Sequence, residues 1–204
     1  MNEMLDYISS VLMGGMLMIN VMTANDVATE TYSVYDGDAT VQEMLVTTVQ
    51  VLEGEFRNMG FGVPESERTV LHADSSSVTF LIDLDNSGAP LDTVQYFIGD
   101  ISEMGFTENE HDRYVYRTVN GTSGMKIGVV TTFRLRYITM GGEQLAIPVP
   151  NHRLSEIHEV EITLEVQNPY AMHAAGTSGV GASNMLHSSS YWQQTRLASQ
   201  NSRR

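Results

Sequence analysis

The stretch from Tyr7 to Met22, YISSVLMGGMLMINVM, constrains the fold more than any other, because it carries no charge and is apolar on every face of a helix. Such a segment has to be buried in a core, placed in a membrane or covered by a partner. As a helix its sixteen residues extend about 24 Å at ~1.5 Å each. That is somewhat short of the roughly 20 residues that cross a bilayer core, and adding Leu5 and Thr23-Ala24 brings it near that length. No Lys or Arg lies ahead of it, so the basic flank of a secretory signal peptide is not seen. A retained membrane and assembly helix is therefore expected over a buried core helix. The first basic residue is Arg57, and flanking charge gives no orientation.

The next segment needs a different partner. Asp36-Gly37-Asp38 has the composition of a break or turn, and Thr40-Val41-Gln42-Glu43 matches a capping box that would restart a helix. From there Val41, Leu45, Val49, Leu52, Phe56 and Met59 recur at helical spacing and form one apolar stripe. Arg57 suits a last turn, Gly60 a C-terminal stop, and Pro64 blocks resumption. Residues 1–60 are thus expected to form an N-terminal membrane and assembly region, with an apolar helix, a softer middle and a striped helix.

Residues 61–168 alternate with the period of strands. The clearest case is Val160-Glu161-Ile162-Thr163-Leu164-Glu165-Val166, apolar on one face and acidic or polar on the other. Val78–Leu84, Thr93–Ile98, Tyr114–Val119 and Phe133–Tyr137 repeat the pattern, with turns at Asp85-Asn86-Ser87-Gly88, Asn120-Gly121 and Gly141-Gly142. No helical pattern separates these strands, so an antiparallel meander is expected, covered on one face by the striped helix. The fold class is α+β. Residues 169–204 change composition: Ala174–Ser190 is Gly/Ser/Ala-rich and reads as a flexible tail, with Tyr191-Trp192 docking back.

Several functions are disfavoured. A formal net charge of -14 argues against a phosphate-binding surface and hence against nucleic acid as a partner. With 0 Cys there are no disulfides, thiolate metal sites or thiol nucleophiles. The six histidines have no metal-ligand spacing, and no nucleophile elbow, P-loop or dinucleotide fingerprint occurs. Nothing makes a catalytic set, and a non-enzymatic role is expected. Asp83, Asp85 and Ser87, followed by Gly88, reproduce the opening of a calcium loop, but the twelfth position is Val94 and the flanks read as strands. A plain hairpin turn is the simpler reading. Arg134 and Arg136 share a strand face and are expected to pair across strands with Glu161 or Glu165.

The layout resembles the type IV pilin-like proteins, in particular the PilW-type minor pilins, relatives of the pseudopilins of type II secretion. The resemblance runs through Leu52–Phe61, Val78-Thr79-Phe80 with its Asp/Asn/Gly turn, Val94–Phe97, Tyr114–Arg117, Val129–Tyr137, Ile157–Val166 and Tyr191–Arg196. It implies a long helix on a β domain and a subunit that waits in the inner membrane before joining a periplasmic or cell-surface filament. The partners implied are other pilin or pseudopilin subunits. It also implies that an acidic residue near the N-terminus, Glu3 or Asp6, meets a neighbour's terminal amine. Gly14 and Gly15 would then allow close approach of neighbouring helices. The alternative is a membrane-anchored binding or adhesion domain that does not polymerise.

Overall fold

The computed structural model describes residues 2–88, 90–105, 107, 109–168, 172–173, 185–186 and 189–198. Among them one α-helix, α1 (Asn2–Arg57), precedes ten strands. These are β1 (Val70–Ala73), β2 (Ser77–Ile82), β3 (Asp92–Ile98), β4 (Arg113–Val119), β5 (Met125–Val130), β6 (Thr132–Thr139), β7 (Ile157–Gln167), β8 (Met172–His173), β9 (Met185–Leu186) and β10 (Ser189–Ala198). The expected α+β class holds, with three corrections.

The first concerns continuity. Asp36-Gly37-Asp38 does not break the helix, which runs unbroken for 56 residues, about 84 Å at ~1.5 Å each. Thr40 is interior, not a cap: its hydroxyl donates to the Asp36 carbonyl at 2.9 Å, four residues back. Local propensity for a break at Gly37 costs only about 1 kcal/mol relative to Ala. The core contacts of Val41, on the next turn, outweigh that cost. The second correction concerns the sheet. Instead of one meander there are two main antiparallel sheets, β1-β2-β3-β4-β5 and β10-β7-β6, and a separate β8-β9 pair. The chain changes sheets at Thr131, whose N–H donates to the Glu165 carbonyl at 2.9 Å. The third is in the segment read as tail, where the docking expected at Tyr191-Trp192 is part of a longer strand. Residues 189–198 are a strand that pairs along β7, with Trp192 opposite Leu164, while residues 174–184 and 199–204 lie outside the described residues.

The two sheets are joined at one side by backbone bonds: the N–H of Leu135 on β6 donates to the Ser75 carbonyl in the β1–β2 turn at 2.7 Å, and that of Val149, in the loop after β6, to the Ala73 carbonyl of β1 at 2.9 Å. At the other side the C-terminal half of α1 packs against β5, β10 and β7. Val41, Leu52, Phe56 and Met59 are fully enclosed there, and Leu45 and Val49 pack at the margin, so the stripe lies where its spacing placed it. Phe56 is the central plug, with its ring 5.5 Å from that of Phe80 and 5.4 Å from that of Tyr96. Gly128 on β5 sits directly against Thr48 of α1; a Cβ on Gly128 would collide with the threonine side chain.

Strand details agree with local sequence. Asn120 and Gly121 take φ 52° and 70°, the paired left-handed backbone of a tight turn closed by the Thr122 N–H on the Val119 carbonyl at 3.0 Å, within the connection from β4 to β5. Arg136 meets Glu161 across β6 and β7 at 3.4 Å, the expected cross-strand pair, whereas Arg134 stands opposite Thr163. The strand β1 has no signature in the sequence because Leu71 and His72 both face outward, leaving no alternation.

Phe56→Ala is expected to destabilise the fold by about 3–5 kcal/mol, and Gly128→Val to destabilise it by displacing α1 from β5. Urea titration followed through the emission of Trp192 measures both; an unchanged midpoint in either variant contradicts the packing described.

Candidate functional site

The candidate site is the projecting half of α1 together with the anchor that fixes its other half to the sheets. From Met4 to Thr29 every side chain is exposed. Met13, Met16, Leu17, Met18 and Ile19 are each about two-thirds exposed, so the β domain shields none of this surface. Because the helix continues past Met22, the uncharged run extends from Tyr7 to Asn25, bounded by Asp6 and Asp26. Nineteen residues at ~1.5 Å each span about 28 Å, close to the ~30 Å hydrocarbon thickness of a bilayer. The run is long and apolar enough to cross a membrane.

Four of the polar side chains in the run are turned inward onto the backbone. Ser9 donates to the Leu5 carbonyl at 2.8 Å, Ser10 to that of Tyr7 at 2.9 Å, Asn20 to that of Met16 at 2.9 Å, and Thr23 to that of Ile19 at 2.9 Å. Each of the three hydroxyls thereby satisfies its donor within the helix, as an apolar surrounding demands, and Asn20 places one amide N–H in the same way. Gly14 and Gly15 have no atom within 4 Å of a Cβ position, leaving a notch on the rod. Asp6 lies exposed immediately before the run, and Glu3 lies in the first turn of α1.

The anchor is a hydrogen-bonded cluster that sequence reasoning did not find. Glu55, on the core-facing side of α1, receives Arg117 Nε at 2.8 and 2.9 Å and Arg117 Nη2 at 2.5 Å. The hydroxyl of Tyr96 donates to the same carboxylate at 2.5 Å. The Arg117 and Glu55 side chains are only 17% and 21% exposed, so the pair is largely desolvated and depends on its full set of bonds. Burial first, and then the charge of Glu55, push the Tyr96 hydroxyl far above its ordinary pKa. The bond to Glu55 likewise raises Arg117. A signal was present in the strand phase. Arg117 shares its inward side with Val115 and Val119, and Tyr96 shares its side with Val94.

The calcium-like loop has its oxygens turned to its own backbone. Asp83 accepts from the N–H of Ser87 at 3.1 Å and of Gly88 at 2.9 Å, and Asp85 accepts from Ser87 at 3.0 Å. Asn86 and Gly88 take φ 55° and 84° to close the turn. Hydrogen bonds from Ser87 hold the Asp85 carboxyl below its usual range. Among the described residues no group of three or more His, Asp or Glu side chains is placed to hold a metal ion.

Fold and site together define an α+β protein whose N-terminal helix leaves an apolar, bilayer-length half uncovered. Comparison with protein-family models, curated proteins and solved structures returns no match.

The anchor can be tested by substitution and by pH. Arg117→Ala leaves Glu55 desolvated without its main partner and is expected to cost about 2–4 kcal/mol; Glu55→Gln with Arg117→Met should recover part of that, measured as a double-mutant cycle. Tyr96 and Tyr137 both have folded pKa values raised above the ordinary value near 10, mainly by burial. Their contribution is complete below about pH 10 and is lost above it, where the unfolded chain releases protons that the fold retains. Melting temperature should fall above about pH 10, with a shallower slope in Tyr96→Phe with Tyr137→Phe; an identical slope in that variant contradicts the assignment.

Proposed function

We propose that the chain is a structural, non-catalytic subunit of a type IV pilus-like or pseudopilus filament, of the minor-pilin kind that initiates or caps assembly. The observation that carries this reading is the division of α1. One half is locked into a β domain by Phe56 and the Glu55–Arg117–Tyr96 cluster. The other half is a bare apolar rod of bilayer length. A rod of this kind is soluble neither alone nor against the acidic surface of its own domain. Lipid covers it before assembly, in the inner membrane, and helices of neighbouring subunits cover it afterwards. The notch at Gly14 and Gly15 lets those helices approach closely, and five exposed Met side chains from Met4 to Met22 adapt to unlike neighbours. Asp6 and Glu3 stand at the end where a neighbour's terminal amine would be met.

The test uses the absence of native cysteine. Met13→Cys and Met18→Cys should form intermolecular disulfides in cells that carry the assembly machinery, and the product should copurify with sheared surface fibres. Leu17→Arg places a charge at the centre of the run, which costs about 3 kcal/mol of insertion, and should deplete the chain from membrane and fibres alike. Gly14→Leu with Gly15→Leu should keep membrane retention and reduce fibre incorporation. Recovery of the chain solely as a membrane monomer, with the machinery present, would falsify the filament reading in favour of a membrane-anchored binding or adhesion domain.

A further inference from the structure

The side of α1 turned away from the core carries a second stripe that the β domain does not use. Tyr32, Tyr35, Ala39, Gln42 and Val46 succeed one another at spacings of three, four, three and four, and all five are exposed. Tyr32, Tyr35 and Val46 are 75%, 69% and 52% exposed. At ~100° per residue the stripe lies roughly 120° round the helix from Val41, Thr48, Leu52 and Phe56, which face the core. The two stripes therefore address different partners. An average spacing of 3.5 residues is what allows a second helix to stay in register over several turns, with Tyr32, Ala39 and Val46 as one set of knobs and Tyr35 and Gln42 as the other.

The charges beside this seam define what can lie on it. Asp36 and Glu43 border one flank, seven residues apart, and both are exposed. Further along α1, Glu53 pairs with Arg57 and Glu55 with Arg117. Nine acidic residues and no Lys, Arg or His precede Arg57. A second copy laid along the seam, parallel or antiparallel, thus brings acid towards acid over its whole length and offers no base. Flanking charges of this kind select partners in two-helix assemblies by repelling the wrong one.

We propose that the Tyr32–Val46 flank of α1 docks a helix of a different polypeptide, one that carries Lys or Arg beside its own apolar seam. A second copy of this chain is a poor occupant. The inference rests on the filament reading in taking that polypeptide for an adjoining subunit; the chemistry of the flank stands independently of it. In an assembly of this kind the subunit enters beside basic neighbours and does not extend into a run of its own copies.

The experiment uses the full chain in detergent micelles and two synthetic helical peptides of roughly four heptads with identical Leu/Ile seams, one flanked by Lys and the other by Glu. The Lys peptide should bind about tenfold more tightly at low ionic strength, with the difference shrinking as salt is added. Asp36→Lys with Glu43→Lys should reverse the preference; both side chains are exposed, and circular dichroism with Trp192 emission checks that the fold is kept. With Tyr35→Cys added to both, disulfide-linked dimers should be sparse in the parent alone and abundant when the parent is mixed with the reversed variant. Equal binding of the two peptides, binding of neither, or Tyr35→Cys dimers as abundant in the parent overturns the proposal, the last making a second copy the occupant. Peptide preference retained in a chain that never enters fibres removes the filament reading and leaves the flank standing. Fibre entry without peptide preference does the reverse.

Discussion

The structure depends on how α1 is held between the open edges of two sheets. β5 ends one sheet and β10 the other, and the C-terminal half of the helix packs against both. Phe56 supplies the apolar part of that contact, ringed by Phe80 and Tyr96. Gly128 lets the helix come close enough to make it. Strand edges left open are liable to pair with other chains, and the helix removes part of that liability where it covers them. Without this seat the sheets would lose their common core, and the helix would have no reason to hold one direction.

A seat of this kind has consequences far from it. An isolated helix is a marginal structure, held in proteins mainly by tertiary packing of one face. Here the packed half begins near Val41, yet the helix continues back to Asn2. The exposed stretch from Met4 to Thr29 is not covered by the β domain, so the apolar surroundings that its composition calls for are not supplied by its own fold. The inward-turned hydroxyls of Ser9, Ser10 and Thr23 suit that setting, since each leaves a smoother apolar surface. The Glu55–Arg117–Tyr96 cluster adds direction to the apolar seat. A hydrophobic contact tolerates sliding by a turn, whereas a carboxylate held by a guanidinium and a phenol does so only at the loss of several bonds.

Much of this was legible residue by residue. Strict alternation from Val160 to Val166 placed β7, and the spacing from Val41 to Met59 placed the buried face of α1, because one-sided burial imposes its period on the sequence. Asn120-Gly121 marked its turn because few other residues tolerate that backbone. Where burial is weak the pattern fades: β1 turns Leu71 and His72 to solvent, and β5 exposes Met125 and Lys126, so neither stood out. Gly37 failed as a signal for the opposite reason. A local preference of about 1 kcal/mol is small beside the packing of the turns beyond it. The anchor escaped notice because it joins positions 55, 96 and 117, which no local window contains.

By itself, then, the amino-acid sequence determined what is local or periodic: an uncharged apolar run at the N-terminus, a striped helix behind it, most of the strands and their turns, and the one-signed charge of the first 56 residues. Only the tertiary structure decided what is relational. It joined run and stripe into one rod, divided the strands between two sheets and brought residues 189–198 back beside β7. It also turned the oxygens of Asp83 to the backbone of their own loop. The physical reason is the same in each case. Periodicity records which side of an element is buried, but which elements bury one another is settled by packing between residues far apart in the chain, where a few kilocalories outweigh any local preference.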